Sequence, residues 1–118
     1  MLRREIKGNT VATTLSATIT SSTTPIGVAD ATTFPVGSVS IPFVITIDRG
    51  TASEEKILIS GKTGGVAGSL TPLTRGYDGT TAVGHNSGAL VDHVLDATTL
   101  QDMNTTVYDT KILTWMGL

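Results

Sequence analysis

Apolar and polar residues alternate with a period of two in several short runs of the chain. Because successive side chains of a strand point to opposite faces, this period predicts half-buried β-strands. The runs are Leu15, Ala17 and Ile19; Phe43, Ile45 and Ile47; and Ile57 with Ile59.

Turn-forming residues between the apolar runs divide the chain into six predicted strands. They cover residues 13–20, 26–29, 42–48, 54–60, 69–75 and 90–94. Pro72 lies inside the fifth, and because proline cannot donate to a ladder it predicts an edge position or a bulge. Short strands at this spacing predict an all-β fold, a small antiparallel barrel or sandwich.

Two of the segments between the predicted strands differ from the others in composition. Residues 30–40 lose the alternation, and we expect a loop there whose Phe34 packs over one end of the core. Residues 61–68 are rich in glycine and predict a flexible, exposed hairpin tip.

The period changes after Asp96. Thr98 and Gln101 have the spacing of a capping box, and Leu100, Met103 and Val107 recur on one helical face. We therefore expect a short C-terminal helix, with an N-terminal arm at 1–12, a β domain at 13–95 and a helix with an apolar tail at 96–118. The apolar tail consists of Ile112, Leu113, Trp115, Met116 and Leu118.

Residues typical of tight turns are most concentrated in the stretch from Leu73 to Ala82. Gly76 and Gly79 bracket Tyr77-Asp78, and Asp-Gly is favoured where the backbone must take positive φ. The sequence therefore predicts a tight structural turn between the fifth strand and the long connection to the sixth.

Arg75 and His85 are the polar residues expected to hold this connection in place. We expect Arg75 to pair with a carboxylate such as Asp78 or Asp48, although contact with a neighbouring subunit is an alternative. His85 is expected to donate a hydrogen bond to loop backbone and so close the connection after Gly79.

Composition narrows the classes of function. The 118 residues fit one domain, and serine with threonine make up about a quarter of them, which suits solvated strands. A net charge of −2 and a pI of 5.5 make nucleic acid an unexpected partner. There is no cysteine, and no apolar run is long enough for a membrane span, so we expect a soluble, unprocessed protein.

Three groups of residues resemble known binding or catalytic sites in part. Gly61-Lys62-Thr63 is similar to the end of a phosphate-binding loop, but Lys56 stands where that loop needs glycine. His85 and His93, with Asp92 and Asp96, match no common metal-ligand spacing. We therefore expect no nucleotide, no metal and no cofactor.

The third constellation, Asp48 with Glu54 and Glu55, could be mistaken for the paired carboxylates of a glycosidase. We expect these side chains at exposed strand ends, with no aromatic platform for a sugar. Ser60 and Ser87 have no evident base and lie in no nucleophile elbow. The sequence therefore predicts a protein that is not an enzyme.

The chain resembles a small β domain of tailed-bacteriophage structural proteins, found especially in tail fibres and their attachment regions. The resemblance covers residues 13–94. It is carried by residues 14–19, 26–35, 43–48 and 54–59, and by Thr74-Arg75-Gly76 through Gly79-Thr80-Thr81-Ala82 to His85.

This resemblance implies a virion structural protein of a tail fibre or tail tip, assembled in the host bacterial cytoplasm. A capsid decoration protein or small adaptor is the alternative, and a carbohydrate- or receptor-binding module is an alternative of another class. The implied partners are other virion proteins and further copies of this chain, as a trimer. The apolar tail at residues 112–118 is the expected interface.

Overall fold

The computed structural model describes residues 11–93, and all six strands lie within that range. They are β1 (Thr13–Thr14), β2 (Ile26–Gly27), β3 (Phe43–Ile47), β4 (Glu55–Thr63), β5 (Ser69–Tyr77) and β6 (Leu90–Asp92). The all-β prediction is confirmed for this part of the chain. The expected C-terminal helix, the apolar tail and residues 1–10 of the expected N-terminal arm lie outside the described residues.

The strands form one antiparallel sheet in the order β1-β6-β3-β4-β5-β2. Two hairpins, β3-β4 and β4-β5, make its centre, and β1 and β2 join it through partners distant in sequence. The sheet curls so that its two edges meet at a bridge between Leu15 and Val28. The fold is therefore a curled half-barrel, the barrel-like form of the two predicted architectures.

The first predicted strand is shorter than its periodicity suggested, because the chain changes partners. Thr13 and Thr14 pair with β6, Leu15 bridges Val28, and Ile19 bridges His85. A continuous ladder cannot follow three successive partners.

Apolar side chains on the concave face fill the half-barrel. Phe34 is fully buried, and its ring lies 6.5 Å from that of Phe43 in an edge-to-face arrangement, as expected of a residue that packs over one end of the core. The cluster consists of Leu15, Ile19, Ile26, Val28, Ala31, Phe34, Phe43, Ile45, Ile47, Ile57, Ile59, Leu70 and Val91.

Pro72 lies at a bulge, one of its two predicted settings. It pairs with Ile59, and the register of β4 against β5 shifts on both sides of that pair. Because proline has no N–H, a shift in the ladder is the expected local adjustment.

The predicted exposed tip at 61–68 is wrong in part. β4 continues to Thr63, so the turn itself covers only residues 64–68. Ala31 N donates to Gly65 O at 2.9 Å, and Ala67 N donates to Ala29 O at 2.8 Å. The glycines therefore let the turn lie against the segment that follows β2.

Candidate functional site

The predicted turn after β5 is present at Tyr77–Thr80. Thr80 N donates to Tyr77 O at 3.2 Å, and the two central residues, Asp78 and Gly79, have φ of 54° and 83°. Positive φ at both central positions is the signature of a type I′ turn, which Asp-Gly favours.

Gly76 is required for a different reason: there is no room for a side chain at this position. Its φ is +59°, and a Cβ at this position would lie 2.7 Å from Ala82 N and 3.2 Å from Thr80 O. The backbone of the following connection therefore packs directly onto Gly76.

Arg75 forms a bidentate ion pair with Glu55, the first residue of β4. Its Nε donates to Glu55 Oε2 at 2.8 Å and its Nη2 donates to Oε1 at 2.9 Å. The predicted partners, Asp78 and Asp48, are wrong, although a carboxylate partner was expected. Two further bonds, from Nη1 to Thr20 O and from Nη2 to Val83 O, tie Arg75 to two connections.

The two aspartates pair elsewhere. Asp78 Oδ2 lies 3.2 Å from Lys56 Nζ, across the β4-β5 hairpin. Asp48 follows β3 with φ of 56°, and its Oδ2 lies 2.8 Å from His85 Nδ1. Each of these two carboxylates therefore has a side-chain partner other than Arg75.

His85 lies between two carboxylates, so the expected hydrogen bond from its ring to loop backbone is wrong. Its Nε2 lies 2.9 Å from Glu55 Oε1, opposite the Asp48 contact, and the ring is fully buried. An imidazole carries one N–H when neutral and two when protonated. Both contacts are hydrogen bonds to ionised carboxylates only when the ring carries two. The backbone of His85 does close the connection, through two hydrogen bonds with Ile19 at 2.9 and 3.1 Å.

Glu55 is the centre of this cluster, and it was wrongly expected at an exposed strand end. It has 0% exposure, and its two oxygens also accept from Gly76 N at 2.9 Å and Val83 N at 3.2 Å. Burial by itself raises the pKa of Glu55. The hydrogen bonds from Arg75, His85, Gly76 N and Val83 N outweigh burial and lower the pKa below its ordinary value of 4.5.

This arrangement is suited to fixing the backbone rather than to catalysis. A carboxylate has about four lone-pair sites, and five donors surround that of Glu55. Its oxygens are closed to solvent, so a substrate in solution cannot reach them. We name Glu55, Arg75, His85 and Asp48 the keystone cluster.

The other two groups of candidate residues do not form a site within the part of the chain that the structure describes. Lys62 lies within β4 and donates to Phe34 O at 2.8 Å, so Gly61-Lys62-Thr63 forms no phosphate loop. His93 Nδ1 lies 2.8 Å from Val44 O, away from His85 and its carboxylates. Asp96 lies outside the described residues. Among residues 11–93, no group of three or more possible ligands is placed to hold a metal ion.

The remaining polar candidates have local roles. Glu54 Oε1 accepts from Gly50 N at 2.9 Å within the β3-β4 turn. Ser60 Oγ lies 3.4 Å from Thr71 O on the neighbouring strand, and Ser87 N donates to Thr18 Oγ1. None of these contacts pairs a serine with a base.

The role of Glu55 was missed, although the sequence contains a signal for it. Residues i, i+2 and i+4 of a strand share one face. Glu55 therefore shares the face of Ile57 and Ile59, while Glu54 takes the opposite face. Extending the alternation by one step would have predicted a carboxylate directed into the core.

No known family model matches this chain, and no curated protein is significantly similar to it. No helix within residues 11–93 has the length and hydrophobicity to cross a membrane.

The first prediction concerns Glu55. Glu55→Gln keeps the size of the side chain but removes the charge that Arg75 needs, so we expect a loss of about 3–5 kcal/mol in the free energy of unfolding at pH 7. Glu54→Gln, one residue away and outside the core, is the matched control and should change it by less than about 1 kcal/mol. Urea unfolding measures both.

The same variant has a defined pH dependence. Because the pKa of Glu55 is lowered on folding, its contribution is complete above the unfolded-state pKa and is lost as pH falls through the folded-state value. The stability difference between the native chain and Glu55→Gln should therefore shrink below about pH 4. A difference that stays constant down to pH 2 would contradict this assignment.

The second prediction compares two glycines of positive φ. In Gly79→Ala the new methyl group has open space, so the free energy of unfolding should fall only by the backbone strain, about 1 kcal/mol. In Gly76→Ala the methyl group also clashes with backbone, so the free energy of unfolding should fall by about 1–3 kcal/mol more. Thermal unfolding compares them, and equal losses would show that the connection does not pack on Gly76 as described.

Proposed function

We propose that this protein is a non-enzymatic structural component of a tailed-bacteriophage virion, placed at a tail fibre or tail tip and assembled in the host bacterial cytoplasm. The observation that carries the non-enzymatic part is the keystone cluster. Within residues 11–93, the buried carboxylate of Glu55 is occupied by internal hydrogen bonds from Arg75 and His85, and these contacts hold the connection between β5 and β6.

The proposed place on the virion comes from the resemblance of residues 13–94 to phage tail domains. Two structural features support that resemblance. The residues that carry it form an all-β half-barrel. In addition, Arg75, Gly76 and His85, which belong to the shared pattern, take part in one set of contacts around Glu55.

A capsid decoration protein or small adaptor is the alternative within the same class. The alternative of another class, a carbohydrate- or receptor-binding module, has less support. Such a site needs accessible aromatic rings, and in residues 11–93 Phe34 and Phe43 are buried in the core while Tyr77 is only half-buried.

The third prediction tests the place on the virion. Gold-labelled antibody raised against the purified protein should mark the tail fibre or tail tip of particles made by the phage that encodes the chain. Label on the head surface would favour the decoration protein. Absence of the protein from purified particles, by mass spectrometry and labelling, would refute the virion proposal.

The fourth prediction concerns self-association. Five of the last seven residues are large and apolar, and burying such a side chain contributes about 1.5–3 kcal/mol. We propose a homotrimer held by this tail, the number three being what the resemblance implies. Light scattering should give a trimer mass for the full chain and a monomer mass after deletion of residues 112–118.

Two outcomes would argue against tail-driven assembly. A full chain that stays monomeric at high micromolar concentration would refute self-association outside the virion. Deletion that lowers thermal stability without changing the mass would show that the tail folds back on its own domain.

A further inference from the structure

One end of the half-barrel exposes a group of valines. Val11, Val36, Val39 and Val66 are 64%, 65%, 69% and 79% exposed. They are four of the six large hydrophobic residues exposed in residues 11–93; the other two are Leu73 and Leu90.

The segments that carry these valines are tied together. Val66 bridges Asp30, and Val11 N donates to Thr33 Oγ1 at 2.8 Å. Gly37, between Val36 and Val39, lies so close to the Phe43 ring that a Cβ would meet it at 2.8 Å. We name the four residues the valine surface, and it lies where β3 begins and β4 ends.

The segments that carry Val36, Val39 and Val66 are poor in charge. Residues 31–41 and 63–68 contain no charged side chain, and the carboxylate beside them is that of Asp30, the residue that Val66 bridges. The nearby Lys62 ammonium is held by the carbonyl oxygens of Thr32 and Phe34. Depletion of charge is what distinguishes the buried centre of an interface from ordinary protein surface.

The chain leaves the described domain at this same end. His93 follows β6, its Nδ1 lies 2.8 Å from Val44 O, and its ring packs edge-on against Phe43 at 5.7 Å. Phe43 is the residue against which Gly37 also packs. His93, the last described residue, therefore lies near the loop that carries Val36 and Val39.

The reach and composition of the C-terminal residues fit this surface. Residues 94–111 separate His93 from the apolar tail, and an extended chain of that length spans up to about 60 Å. Residues 112–118 contain no charged side chain. Between the subunits of one oligomer such a segment acts at a high effective concentration, so a small apolar surface is sufficient.

We propose that the valine surface is the docking site of the apolar tail, residues 112–118, of a neighbouring copy of this chain. The outer face of β3 offers less, since Val44 and Thr46 on that face are already buried. The proposal rests on the self-association proposed above but not on the virion assignment, because it concerns only copies of this chain.

Trp115 makes the proposal measurable, because it is the only tryptophan of the chain and lies in the tail. Its emission in the native full chain should be blue-shifted from that of the urea-unfolded chain. In Val36→Thr/Val39→Thr/Val66→Thr it should shift to the red, and quenching by acrylamide should rise towards the unfolded value. The control, Leu73→Thr/Leu90→Thr, removes exposed leucines elsewhere and should leave the emission unchanged.

A second measurement uses the absence of cysteine. Under mild oxidation, Val36→Cys/Met116→Cys should form a disulfide much faster than Leu73→Cys/Met116→Cys. A bond between chains identifies the tail of a neighbouring copy and supports the proposal, whereas a bond formed only within one chain would contradict it. This test needs no triple variant, so a folding defect there does not decide the outcome.

Three further results would overturn the proposal. The first is a native Trp115 emission equal to that of the unfolded chain. The second is an emission that the three threonines leave unchanged, with circular dichroism showing an intact fold. The third is equal disulfide rates for the two cysteine pairs. Virion labelling is independent of all three, so failure of one proposal is distinguishable from failure of the other.

Discussion

The ion pair between Glu55 and Arg75 is the interaction on which the rest of the structure depends. Removing a carboxylate and a guanidinium from water costs several kcal/mol each, and the pair alone recovers this only with good geometry and further hydrogen bonds. Here the further bonds come from Gly76 N, Val83 N and His85. Because these donors belong to β5 and the connection after it, an altered path of that connection would leave Glu55 buried without partners.

This constraint explains how a sheet with such short outer strands is held together. β1 and β2 have two residues each, which is too little ladder to fix their positions. Arg75 donates to Thr20 O, and the backbone of His85 bonds Ile19 on both sides. The segment between β1 and β2 is thus attached to the same cluster as β4 and β5. The cluster supplies the long-range order that the outer strands lack.

Much of the fold could be predicted from the sequence, because strand periodicity and turn chemistry are local properties. All six strands begin within one residue of their predicted starts, but β1 and β2 end early, at Thr14 and Gly27, and β4 extends to Thr63 and β5 to Tyr77. The partners of Arg75 and His85 could not be predicted in the same way. Glu55 is far from both in sequence, so local spacing does not pair it with them. The alternation in β4 does place Glu55 on the inward face, but that Arg75 and His85 meet it there depends on the curl of the sheet.

The two ends of the half-barrel differ in a way that bears on assembly. At the end where β4 begins, charged side chains are paired with one another, as Lys56 is with Asp78 and Glu55 with Arg75. At the other end, exposed valines stand on segments without charge, and the described chain both enters, at Val11, and leaves, at His93. The two ends of the described domain therefore differ in chemistry: one has its charged side chains paired, and the other exposes valines. The apolar end is the one with surface to offer a partner, because the charged groups of the keystone cluster already have theirs.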